Sequence, residues 1–217
     1  MPSRKNHLKK VDLRKLWKPL YAPSAREVQT VKVPALKFLM LDGALQTGQT
    51  PEASPDFQQA FGALYGVTYK LKFMSKLRAR NPIDYNLMPV EGLWWLDSGE
   101  FEFGSPAPWN WTLMIMQPGH ITEVMFRAAV QQMQEKRDDP ALSRLRFESF
   151  REGLCVQVLH IGPYAQEAHT IERLKVYARD NGYALRGKHH EIYLGDPRLV
   201  KPDKLRTILR LPVERAV

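Results

Sequence analysis

The chain has 217 residues, 44% of them hydrophobic, which suffices for one large domain or two small fused ones. The net charge of +9 sits at the ends: residues 1–18 carry seven Lys/Arg against Asp12, and residues 186–217 carry eight against Glu191, Asp196, Asp203 and Glu214. No apolar run approaches the ~20 residues of a membrane span, no secretory signal follows the basic start, and the lone Cys155 excludes an internal disulfide, so a cytoplasmic protein is expected.

Residues 1–24 read as a basic N-terminal arm, followed by a single domain over 25–217. A basic arm can meet phosphates through counterion release, but no recognition helix or zinc-finger spacing accompanies this one, which argues against nucleic acid as a partner. Val28–Asp42 is extended, interrupted at Pro34, and ends at Gly43. Ser54 is a good N-cap and Pro55 fits the first helical position, so a helix is predicted to about Lys76. Strands follow near Tyr85–Leu96 and Trp109–Gln117. Thr122 opens a connecting helix, about 120–137, with an apolar stripe of Ile121, Met125, Ala128/Ala129 and Met133. Arg146–His160 reads as an extended pair broken at Arg151-Glu152-Gly153, with Cys155 as a small buried hydrophobe. A helix from about Tyr164 stops at Gly182, and strands near Tyr183–Leu194 and Leu205–Leu211 close the chain. Strand-helix-strand-strand therefore occurs twice, over about 28–117 and 146–212. The expected class is α+β: an antiparallel sheet with helices on one face and an open face left over.

Aromatics concentrate in two places. Phe57, Phe61, Tyr65, Tyr69 and Phe73 recur every fourth residue of the first helix. The phenylalanines read as core, whereas a buried tyrosine hydroxyl needs a partner, which makes Tyr65 and Tyr69 candidates for a ligand. Trp94 and Trp95 point opposite ways on a strand, one toward core and one toward a groove. Trp109 and Trp111, two apart, share a face of the next strand. The segment His189-His190-Glu191-Ile192-Tyr193-Leu194 puts His189, Glu191 and Tyr193 on one face and His190, Ile192 and Leu194, which reads as a core side, on the other. Glu191 is then a solvated residue, a counter-ion for a cation, or a general base, and indoles around it would form a box for a flat or cationic molecule. His189 and Glu191 have no third partner in sight, so no metal is expected. With no phosphate loop, Gly-x-Ser-x-Gly or Cys-x-x-Cys, no cofactor is expected either.

Five stretches carry a resemblance to a known family: Gly62-Ala-Leu-Tyr-Gly-Val-Thr-Tyr-Lys-Leu-Lys-Phe73, Val90-Glu-Gly-Leu-Trp-Trp95, Trp111-Thr-Leu-Met-Ile-Met-Gln-Pro118, Pro140-Ala-Leu-Ser-Arg-Leu-Arg-Phe147 and Gly187-Lys-His-His-Glu-Ile-Tyr-Leu-Gly-Asp-Pro-Arg198. In this order the chain resembles stand-alone GyrI-like small-molecule-binding proteins, relatives of the effector-binding domains of bacterial multidrug regulators. The resemblance implies two pseudo-twofold β-α-β-β repeats and a groove on the face away from the helices, with an acidic residue at its centre, which Glu191 matches. It implies flat, lipophilic, often cationic ligands and, for some relatives, hydrolysis of cyclopropane-bearing genotoxins. On that reading Glu191 activates water, Tyr65 or Tyr193 donates to a carbonyl, and Trp94, Trp109 and Trp111 stack on the substrate with Tyr69 and His189 nearby. The alternatives are a drug-sequestering binder with Glu191 as counter-ion and a gyrase-inhibitor-like interaction module. Residues 1–27 are too short for a helix-turn-helix, which speaks against transcriptional control.

Overall fold

The computed structural model of the chain describes residues 8–97 and 108–216. A short strand β1 (Lys9–Val11) leads into two single-turn helices, α1 (Leu13–Leu16), capped by the Asp12 carboxylate, and α2 (Lys18–Tyr21). β2 (Gln29–Ala44) and α3 (Pro55–Leu77) follow, and Ser54 Oγ accepts the Phe57 amide hydrogen as a cap at 3.2 Å. β3 (Ile83–Tyr85), which runs parallel to β1, precedes β4 (Val90–Trp95) and β5 (Asn110–Gln117). α4 (Glu123–Gln134), capped by Thr122, and α5 (Pro140–Arg144), capped by Asp139, connect to the second half. That half comprises β6 (Arg146–Ile161), α6 (Glu167–Asp180) behind a 3-10 turn at Tyr164–Gln166, β7 (Tyr183–Leu185), β8 (His189–Tyr193) and β9 (Arg206–Arg215).

The strands form an antiparallel ring in the order β6-β2-β5-β4-β8-β9, and β9 pairs back onto β6. Exchanging β2 with β6, β4 with β8 and β5 with β9 leaves every pairing in place, which is the pseudo-twofold relation of two β-α-β-β units. The class is α+β.

Two expected interruptions are absent, and two unexpected ones are present. Pro34 and the Arg151–Gly153 break both lie inside continuous strands paired to one another, Val33 with Gly153 and Ala35 with Arg151. Gly153 has φ +84°, a left-handed conformation that glycine adopts without steric cost. The kink there inverts the in/out alternation of β6: Phe147, odd-numbered, and Val156 and Val158, even-numbered, all lie on the helix side. The strands expected over 85–96 and 183–194 each divide in two. In the second, Gly187 at φ +70° turns the chain between β7 and β8.

Antiparallel partners share a face, so the register fixes what lies beneath the helices. Gly92 pairs with Glu191, Trp94 pairs with both His189 and Trp111, and Leu209 pairs with Glu191. Phe57 of α3 stacks on Trp94 with centroids 5.9 Å apart and meets Trp111 edge-on at 5.1 Å. α6 buries Ile171, Leu174 and Ala178 with Val156, Val158 and Leu209. Glu191 therefore lies on the helix side. The groove expected on the face away from the helices is not where this carboxylate points. The opposite face of β8 carries Ile192, as a core face should, but also the polar His190.

That opposite face is closed by the N-terminal segment. His190 bridges Glu91 (Nε2–Oε2, 3.0 Å) and Glu152 (Nδ1–Oε1, 2.9 Å), and Arg210 binds Glu152 at 3.2 Å. Tyr21 donates to Glu91 at 2.7 Å, and Arg210 donates to the Leu20 carbonyl at 2.7 Å. All five side chains are buried. Two acidic side chains face an imidazole and a guanidinium here, and their hydrogen bonds offset the loss of water. Burial opposes the charge on His190, but Glu152 and Glu91 raise its pKa; burial likewise opposes the Glu152 carboxylate, but His190 and Arg210 bring it down to about 2.

Candidate active site between the two long helices

Period-two alternation brings His189, Glu191 and Tyr193 to one face of β8, and they form one hydrogen-bonded group. His189 Nε2 lies 2.9 Å from Glu191 Oε1, and the Tyr193 hydroxyl donates to Glu191 Oε2 at 2.7 Å. Trp94 Nε1 donates to the Tyr193 oxygen at 3.0 Å. This chain from indole to phenol to carboxylate depends on Gly92, opposite Glu191. A Cβ there would stand 2.7 Å from Trp94 Nε1 and 3.0 Å from the Tyr193 hydroxyl. Glu191 itself retains 6% exposure. Burial, and then the Glu191 charge, raise the Tyr193 phenol well above its ordinary value.

The expected site residues divide into two groups. Trp94 is buried under Phe57, and half-buried Trp109 meets it edge-on at 6.1 Å. Trp111 is fully buried beneath Phe57, with Gly43 passing directly over its ring, and supports the site from below. Tyr65 and Tyr69 belong to a separate run of rings along α3, with Tyr65 4.8 Å from Phe61 and 6.5 Å from Tyr69. Burial, then Tyr69 and Asp196, raise the Tyr65 phenol, and Tyr69 is 50% exposed. Trp95 points the other way from Trp94, beneath Lys188 Nζ at 3.1 Å from its ring centre.

Sequence reasoning passed over the second carboxyl. Glu167, in the first turn of α6, has 0% exposure, and its carboxyl faces Thr207 and Glu191 with neither oxygen in a well-formed hydrogen bond. Thr207 Oγ1, on β9 opposite Tyr193 and His160, is buried beside that carboxyl. Burial, and then the Glu191 charge, push the Glu167 carboxyl up to about 9, so it is a neutral acid at physiological pH. Half-buried Tyr164, just ahead of α6, packs edge-on against Tyr193 at 5.8 Å. The single local clue was Glu167 one turn after Gly162-Pro163, on the side of α6 that carries Ile171 and Leu174. Among the described residues, no three His, Cys, Asp or Glu side chains are placed to hold a metal ion, and no helix is long and apolar enough to cross a membrane.

Glu191 and Glu167 thus stand as two neighbouring buried carboxyls, with Glu167 held toward its neutral form. Comparison with known proteins gives them a context. Residues 26–214 match the GyrI-like small molecule binding domain. No curated protein sequence matches the chain. An uncharacterized conserved protein from Listeria innocua is 35% identical, with a TM-score of 0.85, over 94% of this chain and 100% of that one. A hydrolase from the same organism is 33% identical, with a TM-score of 0.79 and the same coverage. The C-terminal domain of EcmrR shares the fold at 12% identity and a TM-score of 0.51, over 88% of this chain and 98% of that one.

Proposed function

We propose, from the premise that this chain belongs to the GyrI-like small molecule binding family, that it binds a flat lipophilic molecule between the N-terminal ends of α3 and α6 and hydrolyses it. The observation that carries this reading is Glu191, held by His189 and Tyr193 beside a second carboxyl, with the Tyr164 ring packed on Tyr193. The Listeria innocua hydrolases at 33–35% identity lend it support. The substrate class is a strained electrophile, a cyclopropane conjugated to a ring carbonyl. Water attacks a cyclopropane carbon, the carbon–carbon bond to the ring breaks, and its electron pair moves onto the carbonyl oxygen. Glu191 takes the water proton. The single hydroxyl hydrogen of Tyr193 is donated as a hydrogen bond to Glu191, so Tyr193 orients the base instead of serving the carbonyl. Trp94 fixes Tyr193, while Trp109 and Tyr164 rim the approach and exclude bulk water, which strengthens each electrostatic contact.

The test is incubation of wild type and Glu191→Gln with a spirocyclopropyl cyclohexadienone, followed by mass spectrometry. Wild type adds one water to the substrate. Glu191→Gln still binds a flat cation such as proflavine, more weakly, but turns over at least a hundredfold more slowly, the scale of a lost general base. Equal rates would remove Glu191 as the base, and unchanged substrate with normal proflavine quenching of tryptophan would leave a binder with Glu191 as counter-ion.

A further inference from the structure

We propose that Glu167 is the proton donor of this site, giving its proton to the substrate oxygen that becomes negative when Glu191 takes one from water. This rests on the hydrolytic reading above and adds a catalytic residue to it. Two donors nearby are already engaged. The Tyr193 proton is engaged by Glu191 and the Trp94 N–H by Tyr193. Among the described residues, Glu167 combines full burial, closeness to Glu191 and Thr207, and oxygens that form no well-aligned hydrogen bond. A native fold rarely leaves a buried carboxyl without hydrogen bonds. A substrate oxygen placed against Glu167 and Thr207 Oγ1 would satisfy both.

The step balances. Water supplies hydroxide to carbon, Glu191 gains the proton, the ring-opened oxygen gains an electron pair, and Glu167 delivers a proton to it. The product is the substrate plus one water, a hydroxyethyl phenol from the spirocyclopropyl dienone. Glu191 is then protonated and Glu167 ionised, so passage of one proton between neighbours restores the starting state. The pair carries a single negative charge throughout, and no buried charge is created in the site.

Steady-state turnover of the dienone by wild type, Glu167→Gln and Glu167→Asp tests this. Glu167→Gln should lower kcat by about a hundredfold or more with KM little changed, because the amide donates a hydrogen bond but transfers no proton. Glu167→Asp should retain part of the activity. Wild-type kcat should fall above pH 9, where the donor ionises, and Glu167→Gln should lack that alkaline limb. Infrared spectra should show a carboxylic-acid carbonyl band at neutral pH that disappears above pH 9 and is missing in Glu167→Gln. Wild-type turnover left unchanged by Glu167→Gln would overturn the inference and spare the hydrolytic reading, as would absence of the infrared band. No wild-type turnover would overturn both.

Discussion

Replacing Glu167 with glutamine should stabilise the protein at neutral pH, and the size of the gain follows from its burial. In the unfolded chain the carboxyl ionises at its usual 4.5, whereas in the folded protein burial and the Glu191 charge hold it protonated to about 9. A group with a raised folded pKa favours the fold fully below its unfolded value, and that contribution is lost as pH rises between the two. At ~1.4 kcal/mol per pH unit, the folded state at pH 7 has lost about 3 kcal/mol relative to a non-titrating isostere. Glutamine has nearly the same shape, and Glu191 and Thr207 offer acceptors for its amide. Urea unfolding of wild type and Glu167→Gln at several pH values between 5 and 8 measures the effect. The stability difference should be small near pH 5 and grow by ~1 kcal/mol per unit, reaching a melting-temperature gain of about 6–12 °C at pH 7 for a chain of this size. A difference that does not change with pH, or a variant less stable than wild type at pH 7, would refute the claim that Glu167 is buried as an acid.

Glu152→Gln leaves His190 and Arg210 with one carboxylate fewer, and should destabilise by about 3–5 kcal/mol in denaturant melts, the usual cost of breaking a buried ion pair. Because the Glu152 carboxyl is held at about 2, its contribution is present above pH 4.5 and lost as pH falls toward 2, so the variant and wild type should converge in acid. Gly92→Ala should separate Trp94 from Tyr193, costing about 1–3 kcal/mol from overpacking and slowing dienone turnover about tenfold, with a changed tryptophan emission as its signature. Unaltered emission and turnover would mean that the indole–phenol bond plays no part in orienting Glu191.

Local chemistry made much of this molecule legible in its sequence. Ser54-Pro55 and Thr122 start helices because a short oxygen side chain satisfies amides that a helix leaves open, wherever the chain later goes. Two-residue periodicity put His189, Glu191 and Tyr193 on one side of a strand, and they are hydrogen-bonded there. It also separated Trp94 from Trp95. Order of elements alone yielded two β-α-β-β units.

Which side of the sheet the helices cover is another matter. Periodicity says that two faces differ; only the register of β4, β5 and β9 against β8 and the rings of Phe57, Trp94 and Trp111 say that Glu191 is on the covered one. Glu167 is 24 positions away from Glu191 along the chain, and its burial arises from α6 seating on β9, a long-range contact with no local signature. The same holds for Glu91, Glu152, His190, Arg210 and Tyr21, drawn from five separate elements. Gly153 shows the boundary between the two kinds of information. The sequence marked it as a break, whereas pairing with β2 keeps the strand continuous and converts the glycine's freedom into a reversal of alternation. Short-range propensity determined which elements form and which side chains share a face. Burial, and with it the protonation of the carboxyls, was decided by tertiary packing, because desolvation depends on everything that surrounds a group and not on its neighbours in the chain.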